Sequence, residues 1–300
     1  MEIENKATIA RVTCGWKKRE LALNLVRPYW RDAHSPAIAR RAGIYEYRHY
    51  PLDPIRSDVL PAVAGIDLVG HANEQLMWLS DVRYLDEASL EAFGRSPTLP
   101  EKRQILADIE MIVDRSTTYK VLGNNGRTLV DKTNRCAPQG PVTSPTFAVF
   151  FRQRGDQRPF RGVVDTLARH WAQLDGVLRL RCSLFEIPDM EAERASGYPV
   201  KTHPPEMQYH AWIDLVLDKK VAASTLRFPG HNEYAAHIAA IHTYTVPAVY
   251  TFNYQGRLTL VGLRGYAAHE AIESLGAEHQ KNAGLLEWMY GPVARGGVSP

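Results

Sequence analysis

The sequence predicts an α+β protein made of two ferredoxin-like modules, each with the element order β-α-β-β-α-β. Three observations carry this. Apolar residues within 26–38 and within 160–174 recur three or four apart, which is helical spacing. Between and after these stretches lie short runs that alternate, or are rich in Ile, Val, Thr and Tyr, as strands are. A helix running into R-A-G-I-Y-E-Y (41–47) is echoed by one running into L-D-G-V-L-R-L (174–180), a repeat of pattern with little identity.

Taken in order, residues 8–16 alternate Ala10, Val12 and Cys14 with Arg11 and Thr13 and predict the first strand. Residues 17–25 open a helical region in which Val26, Tyr29, Trp30, Ala33, Ala37 and Ile38 share a face. Arg27, Arg31, Arg40 and Arg41 fall mostly between them, as a solvated face requires. Pro36 has no N–H and its ring clashes with the preceding turn, so two helical pieces are expected, with His34 and Ser35 at the joint. Gly43 supplies the stop. Residues 44–50 alternate as the second strand, with Tyr45, Tyr47 and His49 on one side. A proline-bearing connection (51–70), a strand (74–80), a helix (86–93), a helical turn (101–107) and a strand (110–122) complete the half.

Turn formers crowd 123–145, which marks a linker or a protruding hairpin. The expected division is a first module over 1–125, a linker over 126–140, and a second module with a helical extension over 141–300. The second half opens with a strand (146–154) and a helix (160–175) that ends at Gly176. In the strand over 177–187, Leu178, Leu180, Cys182 and Leu184 would face the helix layer, and Arg179, Arg181 and Ser183 the other side. A loop (188–206), a strand (207–217), short helices (219–227 and 234–240), a fourth strand (241–251), an extra strand (256–263) and helices over 265–275 and 285–290 follow.

With 300 residues, 45% hydrophobic and 23% charged, the chain has the make-up of a globular protein with ample core. A net charge of +3 with no Lys/Arg-rich run gives nucleic-acid binding little support. Cys14, Cys136 and Cys182 lie far apart without CxxC spacing, which suggests reduced thiols in a cytoplasm-like compartment. The N-terminal residues are acidic early and lack an apolar segment, so no signal peptide is expected. No apolar run approaches the roughly 20 residues that span a bilayer. A cytoplasmic protein with no membrane partner is the expectation.

The run W-R-D-A-H-S-P-A-I-A-R (30–40), followed by G-I-Y-E-Y (43–47), resembles the EthD family of the dimeric α+β barrel superfamily, which carries a W-x-x-x-H-x-P helix before a strand. Elsewhere the resemblance is one of element order. It implies that the two modules pair their sheets into one barrel within the chain, with helices outside and a cavity between. In the family the pairing usually joins two chains, and a homodimer stays open here. It also implies an enzyme without metal or organic cofactor: a lyase, isomerase or cyclase moving protons on an aromatic, phenolic or polyketide-like small molecule. The superfamily also holds cofactor-independent monooxygenases, haem-containing enzymes and ligand-binding modules without known activity, and these remain alternatives.

His34 is the leading catalytic candidate, since an imidazole with a pKa of about 6.5 serves as acid or base near neutral pH. The resemblance carries over to it alone. Trp30 is a candidate substrate contact beside it. The second module has His170 in a different place with no proline after it, and is expected only to close the barrel. Tyr47 and His49 would line a pocket if their side of the strand faces the interior, and would be core if it faces the helices. His71 and Glu74, in H-A-N-E, could orient a substrate oxygen or form a polar turn. His210, Trp212 and Asp214 share one strand face, a composition that suits a ligand pocket, with His242 facing the same cavity from a neighbouring strand. Arg179 and Arg181 could hold a carboxylate or enolate, or be solvated charge. No HxH, HExxH or paired CxxC supports a metal. The glycines of 262–270 fit neither a dinucleotide fingerprint nor a P-loop, and neither G-x-S-x-G nor CxxCH occurs.

Overall fold

The structure is a computed structural model that describes residues 6–96, 98–133, 137–189, 191, 201–221, 225–229 and 234–291. Its strands are β1 (Ile9–Lys17), β2 (Glu46–Pro51), β3 (Trp78–Tyr84), β4 (Val113–Leu122), β5 (Gly126–Asp131), β6 (Gln139–Pro141), β7 (Thr146–Gln153), β8 (Val177–Leu184), β9 (Ala211–Leu217), β10 (Ile238–Thr245), β11 (Ala248–Tyr254) and β12 (Arg257–Leu258). The helices are α1 (Leu23–Tyr29), α2 (Ser35–Ala39), α3 (Glu87–Arg95), α4 (Leu99–Ile112), α5 (Gln157–Ala172), α6 (Tyr234–His237), α7 (Leu260–Arg264), α8 (Tyr266–Leu275) and α9 (Ala283–Tyr290).

The first four strands lie in the antiparallel order β2-β3-β1-β4, and the second set in the order β8-β9-β7-β10. This is one ferredoxin-like order used twice, as the sequence predicts. The two sheets are then tied by exchange. β5 leaves the first module and pairs with β8 of the second, and β11 leaves the second module and pairs with β2 of the first. Each module thereby covers an edge that the other would leave open to pairing with foreign chains. The result is a dimeric α+β barrel formed by one polypeptide.

This exchange corrects two expectations. Residues 126–140 are no linker, because they contain β5 and β6, and β6 pairs with β11. The stretch 241–251 is no single strand. It breaks at Val246 and Pro247 into β10 and β11, which belong to different sheets. Proline lacks the N–H a ladder needs, and here it marks the crossing point. The third strand starts at Trp78, later than expected, because Ala72–Glu74 forms a 3-10 turn. Only Arg257–Leu258 of the expected extra strand pairs, and the chain then turns helical. Part of the expected helix 219–227, and Cys136, lie outside the described residues.

Strand alternation sorts the side chains into layers. Between the sheets, Ala10, Val12, Cys14 and Tyr119 of the first meet Phe150, Trp212 and Tyr244 of the second. Outside the second sheet, Phe160, Val164, Leu167 and Trp171 of α5 pack on Leu180, Cys182 and Ile213. Outside the first, Val26, Trp30 and Ile109 cover Trp78. Among the described residues, the centre of the expected hollow between the modules is filled. Val12, Cys14, Tyr119, Phe150, Tyr209, Trp212 and Tyr244 are each 0% exposed, which leaves no water-sized space against them.

Gly15 is fixed by this packing. It lies opposite Trp78 in the ladder, and a Cβ there would sit 2.0 Å from Trp78 Cζ2. Gly15→Ala is expected to cost about 1–3 kcal/mol through overpacking, read as a lower urea midpoint at unchanged slope. A neutral result would mean that the indole has a second place to go.

Candidate functional site

The local sequence around His34 builds an unusual backbone. Pro28 and Pro36 both lack an N–H. Between them Trp30–His34 forms a π-helical turn, in which the Ser35 N–H donates to the Trp30 carbonyl five residues back. Such turns are rare and concentrate at functional sites. This one sets the Trp30 and His34 rings face to face, with centroids 4.0 Å apart and an interplanar angle of 24°. Trp78 lies on Trp30 at 4.3 Å.

His34 is buried, and its Nδ1 lies 3.3 Å from Asp108 Oδ2 on α4. The other oxygen of Asp108 accepts a 2.5 Å hydrogen bond from the Tyr29 hydroxyl. The His34 contact holds the Asp108 carboxyl below the usual carboxylate range. With Nδ1–H assigned to the bond with Asp108, Nε2 is left as the basic nitrogen. The Asp108 side chain is 28% exposed, so the pair borders solvent.

Tyr47 and His49 stand on the outer face of β2, beneath this turn. The Tyr47 hydroxyl donates to Ser35 Oγ at 3.0 Å. His49 is buried, with no hydrogen-bond partner for its Nδ1. Burial pushes its pKa down to about 3, aided by the charges of His34, Arg27 and Arg31, so it is neutral. The structure therefore brings Trp30, His34, Tyr47 and His49 together, but between sheet and helices. For Tyr47 and His49 this is the helix-side alternative, and the His34 ring, expected at the helix joint to point into the cavity between the modules, does not reach it. The sheet itself separates them from it.

Arg31 seals the margin. It pairs with Asp32 at 2.5 Å and lies over the Tyr266 and Tyr250 rings, at 4.7 and 5.4 Å from their centroids. Asp32 accepts the backbone N–H of Tyr266 at the start of α8. The C-terminal extension thus packs against the first module's turn. Sequence reading missed Asp108, because the predicted helix stopped one residue short of it, and missed Tyr250 and Tyr266, which arrive through the strand exchange.

The remaining candidates fall into two other places. Arg179 and Arg181 face the interior, as their alternation implies, yet neither is solvated. Arg179 donates to Asp214 at 3.0 Å and to Asp131 at 2.9 Å, while Arg181 donates to Thr128 Oγ1 at 3.1 Å. The Tyr50 hydroxyl reaches Asp214 from the other sheet at 3.3 Å. Nearby, Arg83 pairs with Asp81 and Glu46, and Arg48 with Glu46. Trp212 packs in the interior beside this network.

His210 does not share that face. It precedes β9, its Nδ1 accepts from the Gln153 N–H at 3.2 Å, and its ring meets Phe160 on the helix side. Tyr209 points inward instead. Glu74 and His242 do meet, with Glu74 Oε2 and His242 Nε2 4.0 Å apart, whereas His71 is exposed and contributes its backbone N–H to Glu74.

No family model matches the sequence, and no curated protein matches it. Solved structures do. One is a candidate monooxygenase from Fusobacterium nucleatum subsp. nucleatum, at 9% identity and a TM-score of 0.46, covering 83% of this chain and 96% of that one. A second is an anthrone oxidase-like protein, at 12% identity and a TM-score of 0.44, covering 84% and 95%. A third is a candidate monooxygenase from Lactobacillus acidophilus, at 8% identity and a TM-score of 0.42, covering 83% and 97%. The fold assignment itself rests on the doubled strand order and the exchanged strands β5 and β11, and these make the chain a single-polypeptide dimeric α+β barrel.

Proposed function

We propose that the protein is an enzyme that moves a proton on a small aromatic or phenolic substrate, with His34 as general acid/base. The observation that carries this is the buried His34 ring, held in a π-helical turn between the Trp30 face and the Asp108 carboxylate. Asp108 accepts Nδ1–H, fixes the tautomer and stabilises the imidazolium that forms when Nε2 takes a proton. Asp108 is a positioning residue in this scheme. The Tyr47 hydroxyl and the neutral His49, on the same outer face of the sheet, are the groups offered to hold a developing oxyanion. The W-x-x-x-H-x-P resemblance to the EthD family supports a lyase, isomerase or cyclase within this class.

The test is turnover of a panel of phenolic and polyketide-like carbonyl compounds, followed by uptake of solvent deuterium into substrate or product. His34→Ala should lower turnover at least about a hundredfold with unchanged circular dichroism, since a positioned acid/base contributes roughly 10²–10⁴. Asp108→Asn should reduce it less and shift the pH profile. Turnover unchanged in His34→Ala would remove the proposal. The names of the similar structures bring oxygen insertion as the competing reaction class. Uptake of one O2 per substrate consumed would replace proton transfer with it.

A further inference from the structure

We propose that Asp67, Glu74 and His242 form a binding site for a divalent first-row transition metal at the seam between the modules, apart from the His34 group. The three side chains come from two places in the fold. Asp67 and Glu74 lie in the connection between β2 and β3, and His242 lies on β10, the edge strand of the second sheet. Asp67 is stitched to that edge by its own N–H to the Ala239 carbonyl and by the Ile241 N–H to its carbonyl. One ligand atom from each residue lies within 4.8 Å of the others.

The observation that points to a cation is His242 Nε2. The residue is 0% exposed, yet this nitrogen has no hydrogen-bond partner. Buried polar atoms are nearly always satisfied, so an orphan asks for an occupant. It faces Asp67 Oδ2 at 3.5 Å and Glu74 Oε2 at 4.0 Å. A metal about 2.1 Å from each atom requires them roughly 3–4 Å apart, so a small closure completes the triangle. Gly70 keeps the approach clear, since a Cβ there would stand 3.1 Å from Nε2.

The surrounding hydrogen bonds orient each ligand. Asp67 Oδ1 accepts the N–H groups of Val69 and Gly70, which leaves Oδ2 free to bind. Glu74 Oε1 accepts from Arg152, and its Oε2 from the His71 N–H. His242 Nδ1 is 2.7 Å from the Tyr209 oxygen, which is 3.4 Å from the Tyr244 oxygen, and Tyr244 donates to the Glu74 carbonyl at 3.1 Å. A carbonyl only accepts, so the Tyr244 proton is committed there. One arrangement consistent with these distances has Tyr209 donate to Tyr244 and accept Nδ1–H, which leaves the lone pair on Nε2. That is the tautomer of a metal-ligating histidine with an outer partner on its second nitrogen.

The charge balance agrees. Two carboxylates against one Arg152 leave an excess negative charge that a dication would offset. Two oxygens and one imidazole suit Mn2+, Fe2+ or Zn2+. The Asp67 side chain is 49% exposed, which gives an entry path.

The experiment is calorimetric titration of EDTA-dialysed full-length protein with Zn2+ and with Mn2+, paired with thermal denaturation. One equivalent of at least one ion should bind and raise Tm. Asp67→Asn, at a half-exposed position that leaves the fold intact, should weaken binding at least tenfold, as should His242→Gln. His34→Ala should leave it unchanged, so this site stands or falls separately from the catalytic proposal. Absence of binding by both ions at millimolar concentration, or undiminished binding in Asp67→Asn, would overturn it.

Discussion

Lowering the pH from 7 to 5 should strip the protein of much of its stability, with a slope of about 4 kcal/mol per pH unit near pH 5. Three histidines cause this. Burial depresses His49 and His203 to about 3 and His210 to about 4. Arg115 adds to the depression at His203, whose ring is stacked on Trp16 at 4.0 Å. In the unfolded chain each titrates at about 6.5. Below that pH the unfolded state binds protons that the native state refuses, so their contribution is complete above pH ~6.5 and is lost as pH falls toward the folded values. Each such proton is worth about 1.4 kcal/mol per pH unit, and three give the stated slope. Against a total of about 5–15 kcal/mol, two units remove about 8 kcal/mol, enough to unfold a chain in the lower half of that range. Glu46 adds a later loss. Burial would raise it, but Arg48 and Arg83 outweigh burial and hold it at about 2, so its contribution fades from about pH 4.5 downward. Urea midpoints at pH 7.5, 6.0 and 5.0 test this, and His203→Phe should flatten the profile by about one proton. A midpoint constant over that range would refute it.

The sequence carried the local geometry well and the long-range geometry poorly, for identifiable reasons. Alternation over 179–184 assigned Arg179 and Arg181 to the face away from the helices, and they lie there, whereas the register shift between Val177 and Arg179 puts Val177, and not the expected Leu178, into the helix-side core. The same argument failed for His210, because residues before Ala211 are not yet in the ladder and two successive residues point outward. Helical spacing brought Trp30 and His34 onto one face, and the two prolines marked the joint where the π-helical turn forms. What spacing could not show is that a helix covering the outer face of a sheet has no line to the space between sheets. That fact, and not any peculiarity of residue 34, excludes His34 from the interior. The exchanged strands were unreadable for a different reason. Nothing in G-R-T-L-V-D or A-V-Y-T-F-N-Y states which edge it will join, since the choice is made by partners far away in sequence. Asp67, Glu74 and His242 meet by the same route, which is why no short motif announced them.

Asp214→Ala is expected to cost about 3–5 kcal/mol, because it removes one half of a buried ion pair and leaves the other half in place. Asp214 is 2% exposed and accepts from Arg179 Nε and from Tyr50 across the sheet-to-sheet space. It also stands opposite Arg181 in the ladder. Arg181 has a single hydrogen bond to Thr128, no partner for its Nε, and a pKa that burial and the Arg83 charge push down to about 9. Without Asp214, Arg179 keeps Asp131, while the Tyr50 hydroxyl loses its acceptor. Apolar replacement of both residues is a different matter, since it removes the desolvation penalties of Arg179 and Asp214, although Asp131 then loses its arginine partner. Arg179→Met combined with Asp214→Leu should therefore recover a large part of the loss. The coupling is read from urea midpoints of both single variants and the double at pH 7.5. A single-variant cost below about 1 kcal/mol would show that water reaches this network and that the interior is wetter than its packing implies.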